Sequence, residues 1–204
     1  DLNSSVFIFG DVSGSIQEKA NSPLSNRPQL NHNEWKEYCQ KISEISKRLD
    51  DVGLPMSYHQ HMGTIIQTEI EVEKFLEFTS EKTYLLFDTG HFLFAQIDYE
   101  NVLKKFISRI NHVHCKDIRK NILDNSLKND LSFIDSFLQG VFTVPGDGSI
   151  DYEPLIKILF ENNYQDWLVI EAEQDPTKAN PYEYAKIGYE YLINILSKIG
   201  YKIK

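Results

Sequence analysis

Ile110-Asn111-His112-Val113-His114-Cys115-Lys116-Asp117 is the stretch on which the fold turns. It begins as a short strand-like run, Ile110 to His114, and ends in imidazole, ammonium and carboxylate side chains. The same pattern recurs along the chain. Val6 to Phe9, Pro55 to His59, Tyr84 to Phe87 and Trp167 to Ile170 are also short and nearly continuous in apolar residues. Strands buried on both faces read this way.

Helical patterns fill the gaps. Glu34 to Asp51 places Trp35, Tyr38, Ile42, Ile45 and Leu49 at three- and four-residue steps, and Gly53 follows as a stop. Ile70 to Thr79, with Thr68 as N-cap, and Tyr99 to Ser108 are shorter helices. Asp151 caps Tyr152 to Asn162, with Pro154 in its first turn, and Pro181 to Ile199 closes the chain. Alternating strands and helices predict a parallel sheet with right-handed crossovers. Two long connections, Gly10 to Asn33 and Lys116 to Ser149, interrupt the alternation, and Leu131 to Leu138 is expected to form an extra helix. Connections of such length are usually functional.

Polar residues gather where the strands end. The second strand ends in Tyr58-His59-Gln60-His61, the third in Asp88-Thr89-Gly90-His91 and the fifth in Glu171-Ala172-Glu173. Five of the six histidines fall in this set, and His32 is outside it. Parallel barrel strands deliver their C-terminal ends to one face, where active sites sit. Mixed His, Asp and Glu donors suit a divalent metal such as manganese or cobalt. Asp88, His114 and Glu171 hold equivalent strand-end positions and are the leading ligands. Lys116 or Lys120 is expected to reach an oxyanion. Cys115 should point away from His114 and pack as a buried thiol. Val144-Pro145-Gly146-Asp147-Gly148 is a tight turn suited to cover a pocket. Trp167 and the tyrosines of the last helix are expected in the core.

Composition sets the outer bounds. The 204 residues suit one domain; 41% are hydrophobic and 25% charged, as in a globular protein. The net charge of −9, with no offsetting basic stripe, repels phosphate backbones and anionic membranes. Neither a nucleic acid nor a membrane is an expected partner, and self-association into a homo-oligomer is left open. Cys39 and Cys115 form no CxxC motif, which points to a reducing cytoplasm.

The motifs Asp88-Thr89-Gly90-His91, His112-Val113-His114 and Val169-Ile170-Glu171 resemble those of the xylose-isomerase-like barrels. Longer blocks resemble the inosose dehydratases within that group. They are Tyr58-His59-Gln60-His61-Met62-Gly63-Thr64, Gln67-Thr68-Glu69, Phe142-Thr143-Val144-Pro145-Gly146-Asp147-Gly148 and Glu171-Ala172-Glu173-Gln174-Asp175-Pro176. Gly14-Ser15-Ile16-Gln17 and Lys178-Ala179-Asn180-Pro181 also fit. The resemblance implies an α/β fold, the (β/α)8 TIM barrel, with residues 1–204 as the C-terminal portion of one domain. Strands four to eight are visible, and truncation at the N-terminus is expected.

The resemblance further implies metal ligation by Asp88, His114 and Glu171. The glutamate that epimerases of the group carry at the second visible strand end is replaced by His59, leaving His59, His61 and Glu69 as candidates for a fourth ligand. His91 is placed where epimerases bind substrate hydroxyls, and Lys120 is a second candidate for substrate binding. The implied reaction is loss of water from a polyol ketone, 2-keto-myo-inositol. His59 or His61 would transfer the proton, and Lys116 would stabilise the oxyanion. A keto-sugar epimerase or isomerase on the same barrel is the alternative. A non-catalytic binding protein and a nuclease are weaker rivals.

Overall fold

The computed structural model describes residues 4–202. Among the described residues, seven strands and eight α-helices follow the alternation. In chain order they are β1 (Phe7–Phe9), α1 (His32–Asp51), β2 (Met56–His59), α2 (Glu69–Phe78), β3 (Thr83–Asp88), α3 (Thr89–Phe94), α4 (Tyr99–Phe106), β4 (Ile110–Cys115), β5 (Asp117–Ile118), α5 (Lys120–Lys128), α6 (Phe133–Leu138), β6 (Phe142–Thr143), α7 (Tyr152–Glu161), β7 (Leu168–Ile170) and α8 (Pro181–Ile199). Five strands form one sheet in the order β1-β2-β3-β4-β7, and every pair in it is parallel. Each helix expected from the sequence is present within one to three residues.

Capping fixes the helix starts. Asn31 accepts from the Asn33 and Glu34 backbone N–H groups, and the Glu34 carboxylate accepts from Asn31 N–H at 2.7 Å. Asp151 accepts from Glu153 N–H at 3.0 Å and Asn180 from Tyr182 N–H at 3.0 Å.

The two faces of the sheet differ in chemistry because side chains alternate. Met56 and Tyr58, Leu85 and Phe87, and Val113 and Cys115 point into the core beneath the helices, where they meet Ile42, Val72, Phe75, Val102, Leu103 and Leu155. The other parity is largely polar: Ser57 and His59, Leu86 and Asp88, His112 and His114. Register aligns these rows, with His59 opposite Leu86, Leu86 opposite His112, and Asp88 opposite His114. Cys115 is a buried thiol on the helix side, as alternation requires.

Several expectations are corrected. Val6 to Phe9 is not buried on both faces: Phe7 and Ile8 are 41% and 45% exposed, because β1 pairs only with β2 among the described residues. Trp167 lies outside the core at 68% exposure, preceding a strand that pairs only with β4 among those residues. Tyr182 and Tyr189 of α8 face solvent, while Leu192, Ile195 and Leu196 make its buried stripe. The connection after β4 is a folded lobe. In it, β5 and β6 pair antiparallel, α5 and α6 pack together, and Leu123, Phe133, Val141 and Phe142 form a second apolar cluster.

Asp117 closes this lobe. Its buried Oδ1 accepts N–H bonds from Ile118, Ser149 and Ile150 at 2.7, 2.9 and 2.9 Å. Asp117→Ala would strand two buried donors, Ile118 and Ile150 N–H, along with the part-buried Ser149 N–H, and is expected to cost about 2 kcal/mol or more. Urea unfolding of the variant at neutral pH measures this; an unchanged midpoint would overturn the role.

Candidate metal and active site

Asp88 sits where β3 ends and α3 begins. Its Oδ1 caps α3 by accepting from His91 N–H at 2.9 Å, which turns Oδ2 toward the neighbouring strand ends. The sequence pattern does not separate α3 from the strand before it. That helix places His91 over the same face.

Asp88, His114 and Glu171 each offer one ligand atom, and these atoms lie within 4.8 Å of one another. His114 Nδ1 is 2.8 Å from Glu171 Oε2 and 3.5 Å from Asp88 Oδ2. The first two atoms are buried, yet neither meets its neighbour in hydrogen-bond geometry. Buried ligand atoms this close, with no aligned hydrogen bond between them, suit a cation held in common. His59 Nε2 is 3.3 Å from Asp88 Oδ2, the position of an added donor. Glu69 is elsewhere: at the start of α2 its carboxylate accepts from Asp98 N–H.

Lys116 is the centre of charge. It is fully buried, and its ammonium lies 3.0 Å from Glu171 Oε2, 3.0 Å from Glu173 Oε2, 3.3 Å from Asp88 Oδ2 and 3.0 Å from His91 Nε2. Two of its three N–H donors make hydrogen bonds, to His91 Nε2 and Glu173 Oε2, and the contacts with Asp88 and Glu171 are ion pairs. Within this cluster Lys116 is a buried counterion to Asp88, Glu171 and Glu173. Gly90 makes room for it, since a Cβ there would lie 2.7 Å from Lys116 Cγ. Lys120 is not drawn in. Its ammonium pairs with Asp124 at 3.0 Å on a largely exposed side chain.

Glu173 is the site residue that the sequence pattern does not single out. It lies 3.6 Å from His61 Nε2 and 3.3 Å from His91 Nε2 as well as beside Lys116. Its one signal is the two-residue step from Glu171, which keeps both carboxylates on one side. His61 Nδ1 is 2.8 Å from the Met62 carbonyl. A carbonyl only accepts, so that nitrogen carries the proton and Nε2 is left to exchange one. Phe133 and Phe142 pack on His61 and His91 at centroid separations of 5.1 Å and form an apolar roof.

Three carboxylates against one ammonium leave two negative charges, which one divalent ion balances. Burial would raise Asp88, but Lys116 and the nearby imidazoles hold its carboxyl well below the usual range. Burial likewise opposes ionised Glu173, and its contacts with His61, His91 and Lys116 override it.

Comparison with known proteins agrees with the architecture. The model for the xylose isomerase-like TIM barrel matches residues 13–195. The chain belongs to the xylose isomerase-like TIM barrel family. Among curated members, it is 39% identical over 203 residues to a rhizopine catabolism protein, MocC, of Rhizobium meliloti, covering all of this chain and 62% of that one. It is 44% identical over 193 residues to an inosose dehydratase of Clostridium botulinum, covering 94% of this chain and 65% of that relative. The chain thus spans just under two thirds of the length of these relatives. A solved structure, that of the IOLI protein with a bound zinc atom, superposes at TM-score 0.64 with 18% identity, over 86% of this chain and 62% of that one. Among the described residues no helix is long and apolar enough to cross a membrane.

The imidazoles of this barrel site set a pH dependence for the metal-free chain. Burial, helped by nearby cations, pulls His91 down to about 3 and His112 to about 4. The unfolded chain protonates them near 6.5. It binds more protons below that value, so their stability is present above about 6.5 and lost as pH falls toward 4. Burial also opposes a charged His114, but Asp88 and Glu171 outweigh it and raise the ring to about 9. That contribution is complete below about 6.5 and lost as pH rises toward 9. Urea midpoints of chelator-treated protein should therefore peak between about pH 6 and 7. A midpoint rising steadily from pH 5 to 9 would contradict the arrangement.

Proposed function

We propose that this chain belongs to a metal-dependent hydro-lyase that removes water from 2-keto-myo-inositol, giving a trihydroxycyclohexane-1,2-dione. The likeness to an inosose dehydratase along 94% of the chain carries the reading. The convergence of Asp88, His114 and Glu171 supports it, with His59 as fourth ligand. Mixed nitrogen and oxygen donors favour manganese or cobalt. When bound, such an ion polarises a carbonyl and a neighbouring hydroxyl as a Lewis acid.

The remaining work falls to the chain's own groups. A proton must leave the carbon beside the ketone, and His61 Nε2 is the assigned acceptor. Glu173 then faces the charged ring and stabilises it, 3.6 Å away. The departing hydroxyl takes a proton with it as water, so His61 ends the cycle as it began. Burial, helped by the adjacent Lys116 ammonium, keeps His91 neutral, and the ring orients substrate hydroxyls from beneath. The Phe133 and Phe142 roof keeps bulk water from the His61 and His91 rings and strengthens charge interactions there. We further place the protein in a reducing cytoplasm, acting on a small polyol ketone and not on nucleic acid.

Asp88→Asn and Glu171→Gln are each expected to lose the bound ion and to lower dehydration at least about hundredfold, since even outer-shell changes cost 10–100-fold. Elemental analysis reads the first effect and the ultraviolet absorbance of the dione the second. Wild-type metal content with wild-type turnover in either variant would defeat the assignment. Epimerised substrate without dione would favour the keto-sugar epimerase reading.

A further inference from the structure

Beside His59 and His61 lies a cavity of about 150 Å³, also lined by Gly10, Asp11, Val12, Gln17 and Thr64. A void of this volume takes one six-membered ring. Its far wall comes from the long connection after β1, and that wall is fixed in place. Ile16 N–H donates to the Gly63 carbonyl at 3.0 Å. Gly63 has φ +79°, and a Cβ there would lie 3.1 Å from the Gln17 backbone nitrogen, so the two loops lie in direct contact. Gly63 N–H in turn donates to Gln67 Oε1 at 2.7 Å, which ties the near wall to the start of α2.

The lining groups differ in what they have left to offer. The Thr64 hydroxyl is spent on the His61 and Ile66 carbonyls at 2.8 and 3.2 Å. Asp11 Oδ1 accepts from Ser13 N–H at 2.8 Å, and the carboxylate also lies beside the Tyr38 hydroxyl, so it is held in place while its other lone pairs remain to accept from a ligand hydroxyl. The half-buried Gln17 amide makes no side-chain hydrogen bond among the described residues, so its NH2 donors and its carbonyl are all available. One acceptor and one donor–acceptor amide on a fixed wall, facing two imidazoles, form a complementary set for vicinal hydroxyls.

We infer that Asp11 and Gln17 are specificity-determining residues that read the ring hydroxyls of the substrate on the side away from the carboxylate cluster. The inference rests on the polyol reading above and adds the groups that tell one polyol from another. It also divides the labour between loop and sheet. The strand-end residues act on the ketone, and the connection after β1 holds the rest of the ring in place.

The test uses the whole chain, loaded with manganese. Calorimetric titration with myo-inositol, which has no ketone to react, reads binding apart from turnover, and steady-state dehydration of 2-keto-myo-inositol supplies the kinetic readout. Gln17→Leu is expected to weaken binding and raise KM about tenfold, the value of one hydrogen bond, with kcat changed less than about threefold. Asp11→Asn, which keeps shape and removes charge, should act in the same direction. Manganese affinity should match wild type in both. Unchanged myo-inositol affinity and unchanged KM in both variants would overturn the inference, and so would loss of manganese binding along with polyol binding, which marks a structural role. If the wild-type chain binds myo-inositol and the variants do not, yet no water is lost from the ketone, the dehydratase reading fails and this one stands. Wild-type protein that binds neither polyol sinks both.

Discussion

A buried ammonium among three carboxylates is the constraint around which the site is built. Removing Lys116 from water costs several kcal/mol, and only close, well-aimed partners offset that. Asp88, Glu171 and Glu173 supply the opposing charge, and Glu173 and His91 accept the hydrogen bonds of the ammonium. The carboxylates are held apart by a common cation and do not have to repel one another into solvent. The same contacts explain two local features of the sequence. Gly90 is bare because the lysine stem passes over it, and burial, helped by the adjacent ammonium, keeps His91 neutral. On the proposed reading Lys116 positions the ligand carboxylates: it balances part of their charge and leaves two negative charges for a divalent ion.

That constraint works only because the sheet presents its polar parity to one side. His59, Asp88 and His114 come from three consecutive strands, and parallel pairing aligns them without any loop having to aim them. Glu171 follows β7, whose register sets Val169 opposite His114. A shift of one residue in any strand would send its ligand into the helix-side core and bring an apolar residue to the site. The hydrophobic packing of Tyr58, Phe87, Val113 and Cys115 against α1, α2, α4 and α7 is therefore also what fixes the positions of His59, Asp88 and His114. Stability and function are properties of opposite faces of the same strands.

Much of this is legible in the sequence, and the failures have physical causes. Short apolar runs ending in His, Asp and Glu mark the strands, and the two-residue period marks which ends share a face. The helices are marked by capping residues such as Asp151 and Asn180. Three things are hidden. Glu173 follows Glu171 by two residues, but both lie beyond the end of β7, and sequence does not show that its carboxylate turns to Lys116, His61 and His91. Lys116 looks like a free cation because sequence does not show that it is buried among Asp88, Glu171 and Glu173 and bonded to His91. Trp167 and the first strand read as core from apolarity alone, whereas burial depends on what lies across the strand edge, and that is a tertiary property.

The two long connections that interrupt the strand–helix alternation are better understood together than singly. Pro23 bridges to Ser132, Leu24 N–H donates to the Leu131 carbonyl at 3.3 Å, and Ser25 donates to Asp130. Leu24 joins Met62, Phe133 and Phe142 in the apolar cluster above His61 and His91. The connection after β1 thus has one end on the polar cavity wall and the other under the lobe that roofs the imidazoles. A bound ring would contact both, through Asp11 and Gln17 at one end and the His61 ring at the other. Ordering one connection orders its partner, so recognition of the ring's far side and exclusion of water from the proton-transfer side are coupled by the same stretch of backbone.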